Sequence, residues 1–176
     1  FREMTTLLNA PELPATMLSP YCYDVMFFKC TSLVSAPTLP ATTLASSCYN
    51  AMFFGCILLT SVPSTLPATT LADCCYYSMF FGCSNLTTAP ELPATTLASC
   101  CYHDMFEQSG LEYAPELPAT ILAEWCYSGM FADCTNLMTA PELPAPILAD
   151  GCSCSMFIGC TSLTSAPSLP ATTLDD

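Results

Sequence analysis

Fourteen cysteines, a single histidine and recurring glutamates and threonines are the residues of this chain with chemistry to offer. The cysteines fall into ranks fixed by a recurring Met-Phe step. Cys22, Cys48, Cys75, Cys101, Cys126 and Cys152 lie four residues before it, and Cys30, Cys56, Cys83, Cys134 and Cys160 lie four after it. Cys74, Cys100 and Cys154 stand outside both ranks. Thiols at this density suit disulfides, metal ligation or simple burial as small hydrophobes. Pairing the two ranks within one unit leaves only Cys101 over. Eight residues of helix, however, would separate the two Cα atoms by about 12 Å, against the roughly 4.4–6.8 Å that a disulfide spans. Buried, reduced thiols are therefore expected. If bridges exist, the best lateral pair is Cys74 with Cys100, 26 residues apart at one rank. Cys152-x-Cys154 has no second half and no CxxC pair occurs, so no metal site is expected.

His103 is two residues from Cys101 and next to Asp104. A Cys-His pair can be nucleophilic, but residues two apart on a helix diverge, and the pair does not recur. No catalytic residue is assigned and no enzyme is expected. Glu12, Glu91, Glu116 and Glu142 occupy one position of an Ala-Pro-Glu-Leu-Pro run. Glu91, Glu116 and Glu142 should stack about 5 Å apart as a solvated row, with a Ca2+ ion or a lysine-rich partner as the alternative means of relieving their repulsion. Thr16, Thr42, Thr69, Thr95, Thr120 and Thr172 form a rank beside Pro and Ala. That setting suits turn hydrogen bonds or O-glycosylation, and a regular threonine row also suits ice. The neighbouring rank is interrupted by Ile121 and Ile147, which weakens the ice reading. Asn85-Leu86-Thr87 is the N-glycosylation sequon.

Composition narrows the function. Fifteen acidic residues against two basic ones, Arg2 and Lys29, give a net charge of −13. A nucleic-acid binder needs many cations to displace phosphate counterions, so that class is excluded. The mean hydropathy is +0.48, yet proline interrupts every apolar run well short of the roughly 20 residues of a membrane span. Membrane insertion of this segment is therefore not expected.

The elements that must position these residues come from an internal repeat. Leu-Pro recurs at Pro14, Pro40, Pro67, Pro93, Pro118, Pro144 and Pro170, at spacings of 26, 27, 26, 25, 26 and 26. The extra residue falls at Ser64/Thr65 and the missing one within Glu107-Gln108-Ser109-Gly110. In the second copy Leu44, Cys48 and Met52 beside Ala45, Tyr49 and Phe53 follow i, i+4, i+8, which predicts a helix of about two turns from near Ser46 to near Phe54. Ser46, Asp73, Ser99 and Asp150 are its expected N-caps, and Gly55, Gly82 and Gly159 its C-terminal residues. Leu33–Pro37 predicts a short strand that the proline ends. The fold expected is thus an α/β repeat solenoid of leucine-rich-repeat type, with about seven coils over residues 1–176. It should be curved, advancing about 4.8 Å per coil on the strand side and up to about 10 Å on the helix side.

The runs Met79-Phe80-Phe81-Gly82-Cys83-Ser84-Asn85-Leu86 and Met156-Phe157-Ile158-Gly159-Cys160-Thr161-Ser162-Leu163 resemble BspA-like leucine-rich repeats. The resemblance extends over the whole chain. It implies a secreted or cell-surface protein that takes part in adhesion and carries no shared catalytic residues. The fourth copy departs from it, with Glu107-Gln108-Ser109 in place of Phe-Gly-Cys. The resulting expectation is an extracellular scaffold that binds a protein or glycan on its strand face. The alternative is a structural protein that stacks head to tail through uncapped ends into an extracellular filament. The array reads as a window of a longer one.

Overall fold

The computed structural model describes residues 1–174, so Asp175 and Asp176 of the expected array lie outside the described residues. The repeat organises the whole structure. Parallel bridges join residues one repeat apart: Asn9 with Ser35, Ser35 with Ser61, Thr88 with Tyr113 and Tyr113 with Thr139 on one line. On a second line they join Met17 with Thr43, Thr70 with Thr96 and Thr96 with Ile121. The second line ends in two named strands, β1 (Ile147–Leu148) and β2 (Thr173–Leu174), paired parallel with Ile147 opposite Thr173. Elsewhere the expected strand shrinks to single-residue bridges. Prolines without an N–H flank each bridge, as Pro37 and Pro40 do between Ser35 and Thr43.

The expected helix does not form, and the fold is not an α/β solenoid with a helix in each coil. The segment instead runs as a flat ribbon of turns. In the second coil the N–H groups of Cys48, Asn50, Met52, Phe54 and Cys56 each donate to the carbonyl three residues back, at 3.0–3.4 Å. The N–H groups between them, on Ser47, Tyr49, Ala51, Phe53 and Gly55, donate sideways to Asp73, Cys75, Tyr77, Met79 and Phe81 of the next coil, at 2.7–3.0 Å. Left-handed backbone recurs at every fourth residue: Ser47, Ala51 and Gly55, then Cys74, Ser78 and Gly82, then Cys100, Asp104 and Gln108. Positive φ is costly for L-residues, about 1–2 kcal/mol each, and a β-branched residue such as Val25 (φ 46°) pays it too. The lateral bonds that this geometry creates offset that cost. Gly55, Gly82, Gly129, Gly151 and Gly159 all sit at these positions.

Packing explains why the ribbon wins. A helix consumes its N–H groups internally, and packed helices lie about 8–10 Å apart. Here Phe1, Phe27, Phe53, Phe80, Phe106, Phe131 and Phe157 stack ring on ring, with centroids 5.5–5.8 Å apart and planes within 9°. Tyr23, Tyr49, Tyr76, Tyr102 and Tyr127 form a second column at 5.7–6.0 Å. Rings stack only at such distances, so the turn side must advance nearly as little per coil as the bridged side. The strong curvature expected from a helix side is therefore absent. The i, i+4 spacing that resembled a helical stripe is a true four-residue period, and it returns Cys48, Met52 and Cys56 to the core without drift, all at 0% exposure. Leu33, Leu59, Leu86, Leu111 and Leu137 complete the buried interior.

The two irregular repeats are absorbed locally. The extra residue lets the chain pair once more, with Leu66 donating to the Glu91 carbonyl at 3.0 Å and Glu91 to that of Ser64 at 2.8 Å. In the short fourth coil Ser109 takes the cysteine position, and its N–H donates to Phe106 as Cys83 does to Phe80. Gly110 then cuts the corner, where an added Cβ would strike the Ser84 carbonyl.

These placements predict an order of mutational costs in urea unfolding. Phe80→Ala should cost about 3–5 kcal/mol, because it opens a gap in a stacked column. Gly110→Ala should cost several kcal/mol, since the obstruction is backbone. Gly82→Ala should cost only about 1–2 kcal/mol, because its φ is left-handed but nothing lies within 3.4 Å of the added carbon. Equal losses for Gly110→Ala and Gly82→Ala would contradict the shortcut.

Candidate functional site

The cysteines are free throughout and divide by environment. Thiols of the rank after Met-Phe donate to the carbonyl of the phenylalanine one coil back: Cys56 to Phe27 at 3.1 Å, Cys83 to Phe53 at 3.2 Å, Cys134 to Phe106 at 3.0 Å and Cys160 to Phe131 at 2.9 Å. Cys30 donates to Phe1 in the same way, at 3.0 Å. Burial pushes the thiols of Cys56 and Cys126 up to about 12 and holds those of Cys75, Cys83 and Cys101 well above the ordinary thiol value. Such thiols are protonated and poorly nucleophilic. Cys74 and Cys100 differ, being partly exposed and at the same position of adjacent coils.

His103 does not meet a thiolate. It stacks on Tyr77 with centroids 4.8 Å apart, and its Nδ1 lies 3.0 Å from Asp104 Oδ2, while Cys101 is fully buried. Asp104 belongs to a group that sequence reasoning missed. Asp104 and Glu107 lean over Gly129 of the next coil, where an added Cβ would collide with Asp104 Oδ1. Asp133 likewise fills the space over Gly159. The readable signal was an acidic residue followed one repeat later by glycine at a left-handed position. Glu107 is raised to about 7, first by burial, then by the charge of Asp104 and a hydrogen bond with it, and last by Asp133.

Glu91, Glu116 and Glu142 do lie in successive coils, exposed at one rank. Glu91 Oε2 accepts from the Thr65 hydroxyl at 2.8 Å, and Glu142 accepts from Ser168. Between these coils runs a groove of about 540 Å³ walled by Pro90, Pro93, Pro115 and Pro118, with Glu91 and Glu116 on it. Among the described residues, no three His, Cys, Asp or Glu side chains are grouped to hold a metal ion. Among the same described residues, no helix is long and apolar enough to cross a membrane. Glu12 is likewise exposed in the first coil.

Thr16, Thr42, Thr69, Thr95, Thr120 and Thr172 are all exposed, and so are the adjacent Met17, Thr43, Thr70, Thr96, Ile121, Ile147 and Thr173. Their main chains tie neighbouring coils together, as in Thr42 N–H to Thr16 O at 3.1 Å and Thr120 N–H to Thr95 O at 3.1 Å. The result is two parallel exposed ranks on a bonded backbone. Asn85 is exposed, while Leu86 of the same sequon is at 0% exposure. No family model matches this chain, and neither the curated proteins nor the solved structures give a match. The BspA-like resemblance thus rests on the quoted runs alone.

The carboxyl pair generates a pH dependence. A carboxyl raised from its ordinary 4.5 to about 7 binds its proton more tightly in the folded chain than in the unfolded one. Its contribution to stability is therefore present below about 4.5 and lost as pH rises through about 7. Glu107→Gln should flatten the denaturation midpoint between those limits. An unchanged slope in the variant would refute the raised Glu107 carboxyl.

Proposed function

We propose that this chain is an extracellular surface scaffold that binds a protein or glycan ligand through its bridged face. The observation that carries the reading is the pair of exposed, evenly repeated threonine-rich ranks on a backbone already bonded from coil to coil. Such a face presents hydroxyls in fixed register, so a repeating ligand meets them with little ordering cost. The other recurrent residues already have structural duties. Phenylalanine, tyrosine, leucine, methionine and most cysteines fill the interior, and glycine serves the left-handed positions. The resemblance to BspA-like repeats supports the extracellular setting and the adhesive role.

A glycan array and a panel of immobilised extracellular-matrix proteins test the proposal. Binding should appear on at least one, and Thr70→Lys combined with Thr96→Lys should weaken it at least tenfold, since both side chains are exposed and the fold is spared. No binding on either surface, or binding indifferent to the double variant, would defeat the assignment.

Head-to-tail stacking into an extracellular filament is a second reading, favoured by one observation. The sideways bonds of the ribbon all run from the earlier coil to the later one, as from Phe27 to Met52, Phe53 to Met79, Phe80 to Met105, Phe106 to Met130 and Phe131 to Met156. One side of any ribbon therefore offers donors and the other acceptors, the complementarity that a heterologous contact between copies requires. Sedimentation with negative-stain microscopy of the purified chain should then show end-to-end oligomers that lengthen with concentration. A monomer at all concentrations would eliminate it.

A further inference from the structure

We propose that Cys74 and Cys100 form an oxidisable pair that closes into a disulfide between the third and fourth coils, with a low-molecular-weight disulfide as oxidant. This pair differs from every other pair of rank neighbours in having both thiols within reach of solvent. Cys22 faces Cys48, Cys126 faces Cys152 and Cys134 faces Cys160, and in each of these pairs at least one thiol is fully buried. Cys154 is exposed, but Ser128 holds its position in the preceding coil.

The backbone holds the two cysteines in register. Cys74 N–H donates to the Ser99 carbonyl at 2.9 Å, and Ser99 N–H donates to Asp73 Oδ1 at 3.2 Å, so residues 73–74 and 99–100 are clamped side by side. Both cysteines are left-handed, at φ 55° and 53°, which sets their Cα–Cβ bonds parallel. Neighbouring chains bonded this way lie about 4.8 Å apart, inside the roughly 4.4–6.8 Å Cα separation of disulfides and a little beyond their usual Cβ spacing of about 3.5–4.5 Å. Closure therefore asks for a small inward shift of two side chains on the surface, and the bond formed should be readily reduced. The two thiols also interact directly, each perturbing the other's titration, and burial holds both above the ordinary thiol value.

The chemistry is two successive exchanges. One thiol loses its proton, and its thiolate attacks a sulfur of the small disulfide R–S–S–R, forming a mixed disulfide and releasing RS⁻. The second thiolate attacks the protein sulfur of that intermediate, forming the Cys74–Cys100 bond and releasing the second RS⁻. The protein is oxidised by two electrons, the small disulfide is reduced to two thiols, and the two cysteine protons end on them. Because thiolate is the attacking species, closure should quicken as pH rises into the alkaline range.

The test uses the full chain carrying Cys154→Ser, which removes the exposed lone thiol and matches Ser128 one coil earlier, folded, reduced and treated with oxidised glutathione at alkaline pH. Intact mass should fall by two hydrogens, and digestion should yield Cys74 and Cys100 in one linked peptide. The fully buried thiols should be alkylated only after denaturation, and the melting temperature should rise by about 5–10 °C and return on mild reduction. Cys74→Ser should fold normally, because Ser47 occupies the same position with φ 56°. It should accumulate a glutathione adduct on Cys100 and gain no stability. A different first-formed pair, a stable adduct on Cys74 or Cys100 when both are present, or bridging that persists in Cys74→Ser would overturn the proposal. None of these outcomes depends on the ligand-binding reading.

Discussion

The distance between one aromatic ring and the next sets the terms for everything else. A phenylalanine column with centroids 5.5–5.8 Å apart forces the turn side of each coil to rise by about one ring thickness plus offset. Only a backbone that is flat, and that bonds to its neighbours, can rise so little. The ribbon meets that need by spending half of its N–H groups within the turn and half across the gap, so its polar groups are satisfied without a helix. The left-handed residues are the cost of keeping it flat. Stacked rings, lateral bonds and the four-residue return of core side chains are thus one solution seen from three sides.

Much of this was readable in the sequence, and what was missed has a definite cause. The repeat, its irregular copies and its buried ranks follow from positions alone, because identical residues at a fixed period must stack. Leu59, Leu86 and Phe80 lie inside as expected. The helix was a misreading of period. Over the short span from Cys48 to Cys56, a four-residue return and a 3.6-residue one differ too little for apolar pattern to separate them. Glycines carried the discriminating information. A helix wants one at its end, whereas Gly129 and Gly151 occur at ribbon positions where a helix would have been continuing or just beginning. The Asp104–Glu107 pair escaped notice because its partner is an absence, the missing side chain of Gly129 one coil later.

The thiols show how rank outweighs number. Fourteen cysteines suggest a disulfide framework, yet most are buried as small hydrophobes, and in the rank after Met-Phe the S–H completes a carbonyl already accepting from the main chain. Phe53 O, for instance, receives both Cys56 N–H and Cys83 Sγ–H. A serine can take the same position, as Ser109 does at 5% exposure, with its hydroxyl 3.4 Å from Cys134 Sγ. None of the thiols outside the two ranks, Cys74, Cys100 and Cys154, is fully buried, and the acidic cluster likewise sits where the repeat departs from its consensus.

The one-way run of sideways bonds has an electrical consequence. On the bridged side the bonds alternate in sense, as when Leu18 donates forward to Thr43 and Thr42 donates back to Thr16, and their dipoles largely cancel. On the ribbon side they add. Peptide dipoles aligned in this way sum to a macrodipole, here lying along the stacking axis with its positive pole toward the later coils. The array is therefore a permanent electric rod. Its field has a direction that a net charge of −13 does not describe, and each added coil lengthens it.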